Sequence, residues 1–249
     1  MKSLKRRPKK RIQSVLESKE PQKRAAADYR QFVQRHYDGL PGELLSLTGL
    51  VTGHEALAGH LIKPTGFDVR GCKRILDAAC GNGRHARFLL READDDAMIT
   101  AFDYSQQMLH RARARLGSGR VSMIAADLTR MPYADASFDA VICGWVLEHL
   151  PDPKPGLKEL ARILSAGGKL LLMTTEDTVN GSVCSRFWHC RTYNRAMLRQ
   201  DCSDAGLEWH REHWFSPLHR FLHLGGIVVE LHRRPQALKT GAHTANEHL

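Results

Sequence analysis

Residues 75–90, ILDAACGNGRHARFLL, place chemistry-bearing side chains where an apolar run changes into a helical pattern. Asp77 stands in the apolar run, and Gly81 and Gly83 follow it within a few residues. Glycine lets the backbone adopt unusual φ and ψ values and lets a ligand approach closely. The first N–H groups of the following helix lack intrahelical partners and can bind that ligand. The spacing therefore predicts a ligand-binding turn between a strand and a helix.

One interpretation of this turn is a nicotinamide-dinucleotide fingerprint. Gly81, Gly83 and Ala86 fit the pattern G-x-G-x-x-A, and Asp103 lies twenty residues after Gly83, near the place of the acid that binds the ribose. Asp77 argues against this interpretation. A carboxylate just before the turn would repel a pyrophosphate, whereas it suits an amino group or another cation.

Two further acids favour a different ligand. Asp103 ends the apolar run MITAFD, and Asp127 ends the run VSMIAAD. A carboxylate can accept hydrogen bonds from an ammonium group, from ribose hydroxyls or from the exocyclic amine of adenine. One acid for each of these groups describes a ligand with an amino-acid end and a nucleoside end. S-adenosylmethionine is such a ligand, with a positive sulfonium and no phosphate.

Strands alternate with helices around these residues, which indicates parallel β–α units. The predicted strands are RILDA, MITAFD, VSMIAAD, FDAVICGWV and GGKLLLMTT. The predicted helices are RHARFLLREA, SQQMLHRARARL with Ser105 as N-cap, PGLKELARIL, and NRAMLRQDCSDAG closed by Gly206. Two more strands, LEWHREHWF and GGIVVELHRR, are joined by SPLHRFLHL, which has the spacing of an amphipathic helix. The predicted fold class is α/β, a doubly wound, mostly parallel seven-stranded sheet with an antiparallel C-terminal hairpin and N-terminal helices.

The net charge of +10 is concentrated at one end of the chain. Residues 1–24 carry ten Lys and Arg against two Glu, and the other residues are nearly neutral. Such an arm is predicted to be a disordered tail, although residues 2–24 would also allow weak contact with RNA or an anionic membrane. The sequence implies no stable partner.

The chain has no apolar run of membrane-spanning length, and its basic N-terminus lacks the apolar core of a secretory signal. Its six cysteines include no C-x-x-C pair. Reduced, mostly buried thiols in a cytoplasmic protein are the simplest interpretation.

Residues 73–175 resemble the class I, Rossmann-like S-adenosylmethionine-dependent methyltransferases, particularly the ubiquinone/menaquinone methyltransferase-like (type 11) subgroup. The family's first motif, D-x-G-x-G-x-G, corresponds to DAACGNG at residues 77–83, in which Ala79 replaces the first glycine. That small substitution should leave the turn intact. The segments AFDYSQQML, AADLTRMPYADASFDAVI, VLEHLPDP and ILSAGGKLLL follow in the family's order. The resemblance implies a methyltransferase that uses S-adenosylmethionine.

The resemblance and the strand ends together predict eleven cofactor-binding residues: Asp77, Ala79, Gly81, Gly83, Asp103, Tyr104, Met108, Asp127, Leu128, Cys143 and Trp145. Several of these residues have an alternative structural role. Asp103 could cap the following helix, Asp127 could be a turn residue, and Trp145 could fill the core. Asp139, at the start of a strand, is predicted to make a structural contact.

Methyl transfer from a sulfonium needs alignment of donor and acceptor above all, and it needs a base only if the acceptor must lose a proton. Glu148 and His149 are the candidate catalytic residues, either as base or to orient the acceptor. A structural contact at a helix start is an equal alternative for both.

The choice of acceptor is predicted to depend on the parts outside the resemblance, which are the N-terminal helices and residues 176–226. Seven aromatic residues in this segment could line a lid over an apolar or aromatic acceptor, or could simply pack; they are Phe187, Trp188, Tyr193, Trp209, Trp214, Phe215 and Phe221. Membrane-surface contact for a lipid substrate is a variant of this hypothesis. Six histidines lie in the same part of the chain: His189, His210, His213, His219, His223 and His232. Because no H-E-x-x-H or paired C-x-x-C motif frames them, no metal site is predicted.

The predicted organisation is a basic disordered tail (1–24), a single domain (25–235) and a second disordered tail (236–249). The domain divides into an N-terminal helical cap (25–70), a cofactor-binding core (73–175) and an acceptor-side region with the edge strands (176–235). The predicted function is methyl transfer by in-line displacement to a small apolar acceptor, such as a quinone-like, phenolic or lipid molecule. The alternatives are an RNA or protein methyltransferase that uses the basic arm, and a non-catalytic cofactor-binding scaffold.

Overall fold

The computed structural model describes residues 59–188, 190–222 and 226–234. Both predicted tails and most of the predicted N-terminal helical cap lie outside the described residues. Within them, all seven predicted strands are present, in the predicted order along the chain.

The strands form one sheet with the spatial order β3-β2-β1-β4-β5-β7-β6. Their bounds are β1 Arg74–Ala78, β2 Met98–Asp103, β3 Val121–Ala125, β4 Phe138–Gly144, β5 Leu164–Thr174, β6 Leu207–Glu212 and β7 Ile227–Arg233. The first five strands pair in parallel, whereas β7 is antiparallel to both of its neighbours, β5 and β6. The predicted fold class is confirmed.

Among the described residues, six α-helices follow β1 and connect or flank the strands: α1 Arg84–Glu92, α2 Gln106–Leu116, α3 Lys154–Ile163, α4 Val179–Trp188, α5 Arg195–Asp204 and α6 Pro217–Leu222. Ser105 is the N-cap of α2, as predicted, because its Oγ accepts a hydrogen bond from the N–H of Met108 at 3.0 Å. Helix α4 was not predicted, because its sequence VNGSVCSRFW is poor in strong helix formers. None of the described helices combines the length and the apolar character needed to cross a membrane.

The core consists of two apolar clusters. Successive residues of β4 enter different clusters, Val141 one and Ile142 the other, and both side chains are fully buried. Alternation across a strand sends neighbouring side chains to opposite faces, so the sheet is covered on both faces. This arrangement explains why the strands are almost continuously apolar in sequence.

Two local predictions concern the edges of this core. Asp139 makes the predicted structural contact, since its Oδ2 accepts hydrogen bonds from the N–H groups of Lys73 and Arg74 at 3.0 Å each. β5 begins at Leu164, directly after α3, and not at the glycines where a strand was predicted. Its pairing with β4 shifts register after Leu164, and the positive φ of 74° at Gly167 accommodates the irregularity.

The described cysteine side chains are all buried free thiols, as predicted; they are Cys72, Cys80, Cys143, Cys190 and Cys202.

Candidate functional site

The sheet brings the predicted acids together at the end where its parallel strands finish. Asp77 pairs with Ala101 in the register between β1 and β2, and Asp103 pairs with Ala125 in the register between β2 and β3. Asp127 follows β3 by two residues. Adjacent strands lie about 4.8 Å apart, so the three acids stand side by side at the carboxyl ends of neighbouring parallel strands, where ligands bind in such sheets.

The turn between β1 and α1 uses its two glycines differently. Gly81 has a φ of 53°, and a Cβ added there would meet no atom within 4 Å, so the space beside this residue is open. Gly83 has a φ of 78°, but its Cβ would lie 3.2 Å from Ala112 and Leu116 of α2. Gly81 therefore leaves room for a ligand, whereas Gly83 allows the close packing of two helices.

Ala79, where the family pattern has its first glycine, keeps the turn in a left-handed conformation. Its φ is 56°, a value that an L-residue adopts at a cost of about 1–2 kcal/mol. The expectation that the substitution preserves the turn agrees with this geometry, and the strained backbone is the cost of the alanine side chain.

Asp103 connects the end of β2 to this turn. Its Oδ2 accepts a hydrogen bond from the N–H of Gly81 at 2.8 Å, and its Oδ1 accepts one from the N–H of Ser105 at 2.9 Å. Ser105, and not Asp103, is the N-cap of α2. A carboxylate has about four acceptor positions, which is more than these two N–H groups occupy.

Asp77 lies fully buried beneath the turn. Its Oδ2 accepts a hydrogen bond from the N–H of Ala86, in the first turn of α1, at 2.9 Å. Its Oδ1 lies 3.4 Å from Nδ1 of His85 and accepts no hydrogen bond from the residues that the structure describes. A buried carboxylate oxygen without a donor is unfavourable, and a cationic amino group at this end of the site would satisfy it.

His85 is a component of the site that the sequence did not reveal. It is a buried residue in the first turn of α1, and its ring stacks on Trp145 with the centroids 6.1 Å apart. A Cβ at Gly144 would lie only 2.6 Å from its Cε1, so the ring also explains why glycine ends β4. Its position within a helical pattern gave no signal, because its partners lie outside the helix: Asp77 belongs to β1, and Trp145 follows β4.

Trp145 directly follows β4, at the end of the sheet that holds the glycine turn. It has a φ of 53°, and its N–H donates to the carbonyl of Met173 at 2.8 Å. Strained backbone of this kind is found preferentially at functional sites. The ring is half-buried and packs against the apolar cluster that contains Ile142. The predicted role in core packing is therefore observed, and the role as a wall of the site stays a prediction.

The remaining predicted cofactor residues differ in exposure. Tyr104 is exposed, whereas Met108, Leu128 and Cys143 are buried. Asp127 Oδ1 accepts hydrogen bonds from both the N–H and the Oγ1 of Thr129, so this acid also holds a turn. Their contacts with a cofactor stay predictions.

Glu148 and His149 lie in a short 3₁₀ helix, Leu147–His149, just after β4. Glu148 is only 1% exposed, and its carboxyl oxygens accept hydrogen bonds from the hydroxyls of Thr174 and Thr175 at 2.9 Å each. Burial raises the pKa of Glu148 to about 7, against the effect of these hydrogen bonds. His149 is half-buried and therefore more accessible.

The predicted aromatic lid is divided between the core and the surface. Tyr193 and Phe215 are buried in the two apolar clusters, and the Tyr193 hydroxyl donates to the carbonyl of Leu147 at 2.9 Å. Trp214 lies under the guanidinium of Arg195, 4.6 Å from it. Phe221, on α6, is 81% exposed. The side chains of Phe187 and Trp188 are outside the described residues.

The site as a whole fits S-adenosylmethionine better than a dinucleotide. It offers an unsatisfied buried carboxylate oxygen on Asp77, open space beside Gly81 and the carboxylate of Asp103 at the next strand end. Respectively, these groups suit the ammonium of the ligand, a close approach of the ligand to the backbone, and a ribose. A pyrophosphate at the same turn would face the charge of Asp77.

Comparison with known proteins supports this interpretation. Residues 76–172 match the family model described as a methyltransferase domain. The chain is 41% identical over 101 residues to a demethylmenaquinone methyltransferase of Clavibacter sepedonicus, a match that covers 40% of each chain. It is 37% identical over 111 residues to the 27-O-demethylrifamycin SV methyltransferase of Amycolatopsis mediterranei, covering 42% of this chain and 39% of that one.

Among solved structures, the fold resembles geranyl diphosphate C-methyltransferase from Streptomyces coelicolor in complex with Mg²⁺, geranyl diphosphate and S-adenosyl-L-homocysteine. The TM-score is 0.64 at 14% identity, with 84% of this chain and all of that chain covered. The matches to the two curated relatives span about 40% of their length. Together these comparisons confirm the resemblance that the motifs predicted.

Proposed function

Because residues 76–172 form a class I, S-adenosylmethionine-dependent methyltransferase domain, we propose that the protein transfers a methyl group from S-adenosylmethionine to a small apolar or aromatic acceptor. The observation that carries the cofactor assignment is the row of acids at the strand ends, with Asp103 hydrogen-bonded to the glycine turn and Asp77 buried beneath it.

The cofactor supplies a methyl group on a positive sulfur, and the leaving thioether is neutral. Asp77 would hold the ammonium end, and Asp103 would accept hydrogen bonds from the ribose hydroxyls. Asp127 and the backbone of Leu128 would lie beside the adenine. Trp145 and the underlying His85 would close the side of the site near β4. The chain's main contribution to rate is then alignment of donor and acceptor.

The acceptor would approach from the side of β5 and β6. β6 is antiparallel to β7, which is antiparallel to β5, so the carboxyl end of β6 lies at the same edge as the glycine turn. Helices α4 and α6 follow β5 and β6 at this edge. They expose Val179, Leu218 and Phe221, the last two with 61% and 81% of their surface accessible. Exposed apolar side chains grouped at one edge suit an apolar ligand.

The relatives' names point to the same acceptor class. One acts on demethylmenaquinone and another on demethylrifamycin, as named. For this chain we propose a quinone-like, phenolic or lipid acceptor. His149 would remove a proton from the acceptor or orient it, whereas Glu148 would act as a positioning residue that fixes the end of β4 against β5 through Thr174 and Thr175.

The main test uses the purified full chain, methyl-labelled S-adenosylmethionine and a lysate of the source cells. The products are separated into organic-soluble, small aqueous, nucleic-acid and protein fractions. We expect label in the organic phase, and a chain without residues 1–24 should retain this activity. Label in RNA or protein that is lost with those residues would contradict the proposal and favour the macromolecular alternative. Cofactor binding without label in any fraction would favour a non-catalytic scaffold.

A matched pair of variants tests the acceptor side. Phe221→Ser should raise the KM for the acceptor and leave the Kd for S-adenosylhomocysteine unchanged. Met98→Ser is the control, because Met98 is also exposed but starts β2 at the opposite edge of the sheet. Equal effects of the two substitutions on the acceptor KM would contradict an acceptor site next to α6.

A further inference from the structure

The hairpin of β6 and β7 gathers three metal-binding side chains, His210, Glu230 and His232. One ligand atom of each residue lies within 4.8 Å of the others. Glu230 and His232 are two residues apart on β7 and therefore lie on the same face of the sheet. β6, which carries His210, is the edge strand. Strands β4 and β5 lie between the cluster and β1, which leads into the glycine turn, so the cluster does not belong to the cofactor site.

The register of β6 against β7 places His210 on this face. Trp209 pairs with Leu231 and Arg211 pairs with Glu230, so His210 is an extra residue in β6. Glu208 pairs with His232, so His210, two residues further along β6, lies on the same face as His232 by regular alternation. The bulge places Arg211 on this face as well, opposite Glu230. The rings of His210 and His232 stack with their centroids 4.2 Å apart and their planes at 17°. The register between the two strands therefore produces the contact between the two imidazoles.

The carboxylate of Glu230 is oriented by other residues. Its Oε1 lies 2.9 Å from Nε2 of His232. Its Oε2 accepts a hydrogen bond from Arg211 Nη2 at 3.1 Å and lies 3.4 Å from Nε2 of His213. Arg211 and His213 thus hold Oε2 in place, while Oε1 faces His232. Metal-binding side chains are commonly oriented by such neighbouring residues, which do not bind the metal themselves.

We propose that His210, Glu230 and His232 bind a divalent transition-metal ion of the zinc type, which clamps the edge strand β6 to β7. Imidazole nitrogen and carboxylate oxygen are established zinc ligands, and three protein ligands leave a position for water. The ion would replace the hydrogen bond between Glu230 and His232. His210 is exposed, so its ring can turn towards the ion without disturbing the core.

Sequence spacing did not predict this site, because its residues lie on two strands and only Glu230 and His232 are close in sequence. A search for short motifs finds ligands on one helix or in one turn. The register between β6 and β7 is needed to bring the three residues together. The inference does not depend on the proposed methyltransferase activity.

The test is calorimetric titration of the metal-free full chain with Zn²⁺, together with thermal unfolding at increasing Zn²⁺. We expect one saturable site per chain and a melting temperature that rises with Zn²⁺ concentration, since an ion that binds only the folded state stabilises it. His210→Gln and His232→Gln should each weaken binding at least about tenfold. His110→Gln, which removes an exposed histidine on α2, should bind like the wild type.

His210→Gln is the decisive variant, because an exposed residue in an edge strand can be replaced without loss of the fold. A visible d–d spectrum with Co²⁺ that disappears in this variant would support direct ligation by the imidazole. Absence of saturable Zn²⁺ binding would overturn the proposal. Equal weakening in His210→Gln and His110→Gln would also overturn it, because that result indicates nonspecific binding by histidines.

Discussion

Oδ2 of Asp103 accepts a hydrogen bond from the N–H of Gly81 at 2.8 Å, which joins the end of β2 to the glycine turn after β1. The acid that is expected to bind the ribose therefore also holds the loop that shapes the site. Substitution of this residue should affect cofactor binding in two ways, through the lost acceptor and through the freed turn.

We expect Asp103→Ala to weaken binding of S-adenosylmethionine by well over tenfold, since a hydrogen bond to a charged group contributes about 1.5–3 kcal/mol. Isothermal titration with S-adenosylhomocysteine measures the effect. The affinity of Asp127→Ala is compared with that of Asp103→Ala. Asp127 is expected to contact adenine, and its described side-chain hydrogen bonds run to Thr129, whereas Asp103 is expected to bind the ribose and holds Gly81. Wild-type affinity in Asp103→Ala would contradict the ribose assignment.

Ala79→Gly should stabilise the protein. It relieves the left-handed φ of 56°, and we expect a gain of about 1 kcal/mol in the free energy of unfolding after the entropy of the unfolded glycine is subtracted. For a chain of this size, that corresponds to a rise of about 2–4 °C in Tm. Thermal unfolding measures it.

Ala136→Gly is the matched control for this substitution. Ala136 has a φ of 57° and is exposed outside the site, so a similar rise in Tm is expected. Neither variant should weaken binding of S-adenosylhomocysteine. A lower Tm for Ala79→Gly alone would show that the methyl group of Ala79 makes contacts that outweigh its backbone strain.

The buried Glu148 should make stability depend on pH. Burial raises its pKa in the folded protein to about 7 from an ordinary value of 4.5, so between these values the folded state retains a proton that the unfolded state has released. The resulting stabilisation is fully present below the ordinary pKa and is lost as pH rises through 7. Its full size is on the order of 3 kcal/mol.

Urea unfolding between about pH 5 and about pH 8.5, a range that includes the raised pKa of about 7, measures this dependence. The wild type should lose stability relative to Glu148→Gln as the pH rises, because glutamine has no proton to release. Glu208→Gln, in which the replaced residue is exposed, should follow the wild-type profile. Parallel profiles for the wild type and Glu148→Gln would contradict a raised pKa.

His149→Gln tests the proposed proton transfer. If His149 removes a proton from the acceptor, its loss should lower kcat by about 100-fold and leave the Kd for S-adenosylhomocysteine unchanged, since a general base contributes 10²–10⁴ in rate. The initial rate of label transfer to the modified fraction measures the effect. Unchanged turnover would mean that His149 carries no proton in the reaction.

Most of the fold follows from local sequence patterns. MITAFD became β2 with its predicted bounds, and Ser105 capped α2, because each signal lies within a few residues. The acids Asp77 and Asp103 could be predicted as neighbours because parallel strands end at a common edge. Gly206 closes its helix with a φ of 86°, as expected of a glycine after a helix.

Features that depend on contacts between distant segments could not be predicted. His85 contacts both Asp77 and Trp145, which are separated in sequence by much of the predicted cofactor-binding core, residues 73–175. The bulge at His210 depends on the register between β6 and β7. Helix α4 forms in spite of a weak helical sequence, where tertiary packing overrides propensity. In each case the deciding interaction is nonlocal.

The position of β7 has a consequence for synthesis of the chain on the ribosome. β7 is the last of the seven strands in chain order, but it lies between β5 and β6 and pairs with both. Strands β1 to β5 can pair with one another as soon as residues up to 174 have left the exit tunnel. β6 then has no hydrogen-bonding neighbour until residues 227–233 emerge and insert beside it. The part of the sheet that holds the glycine turn can therefore fold first, and β6 joins the sheet only after β7 has been translated.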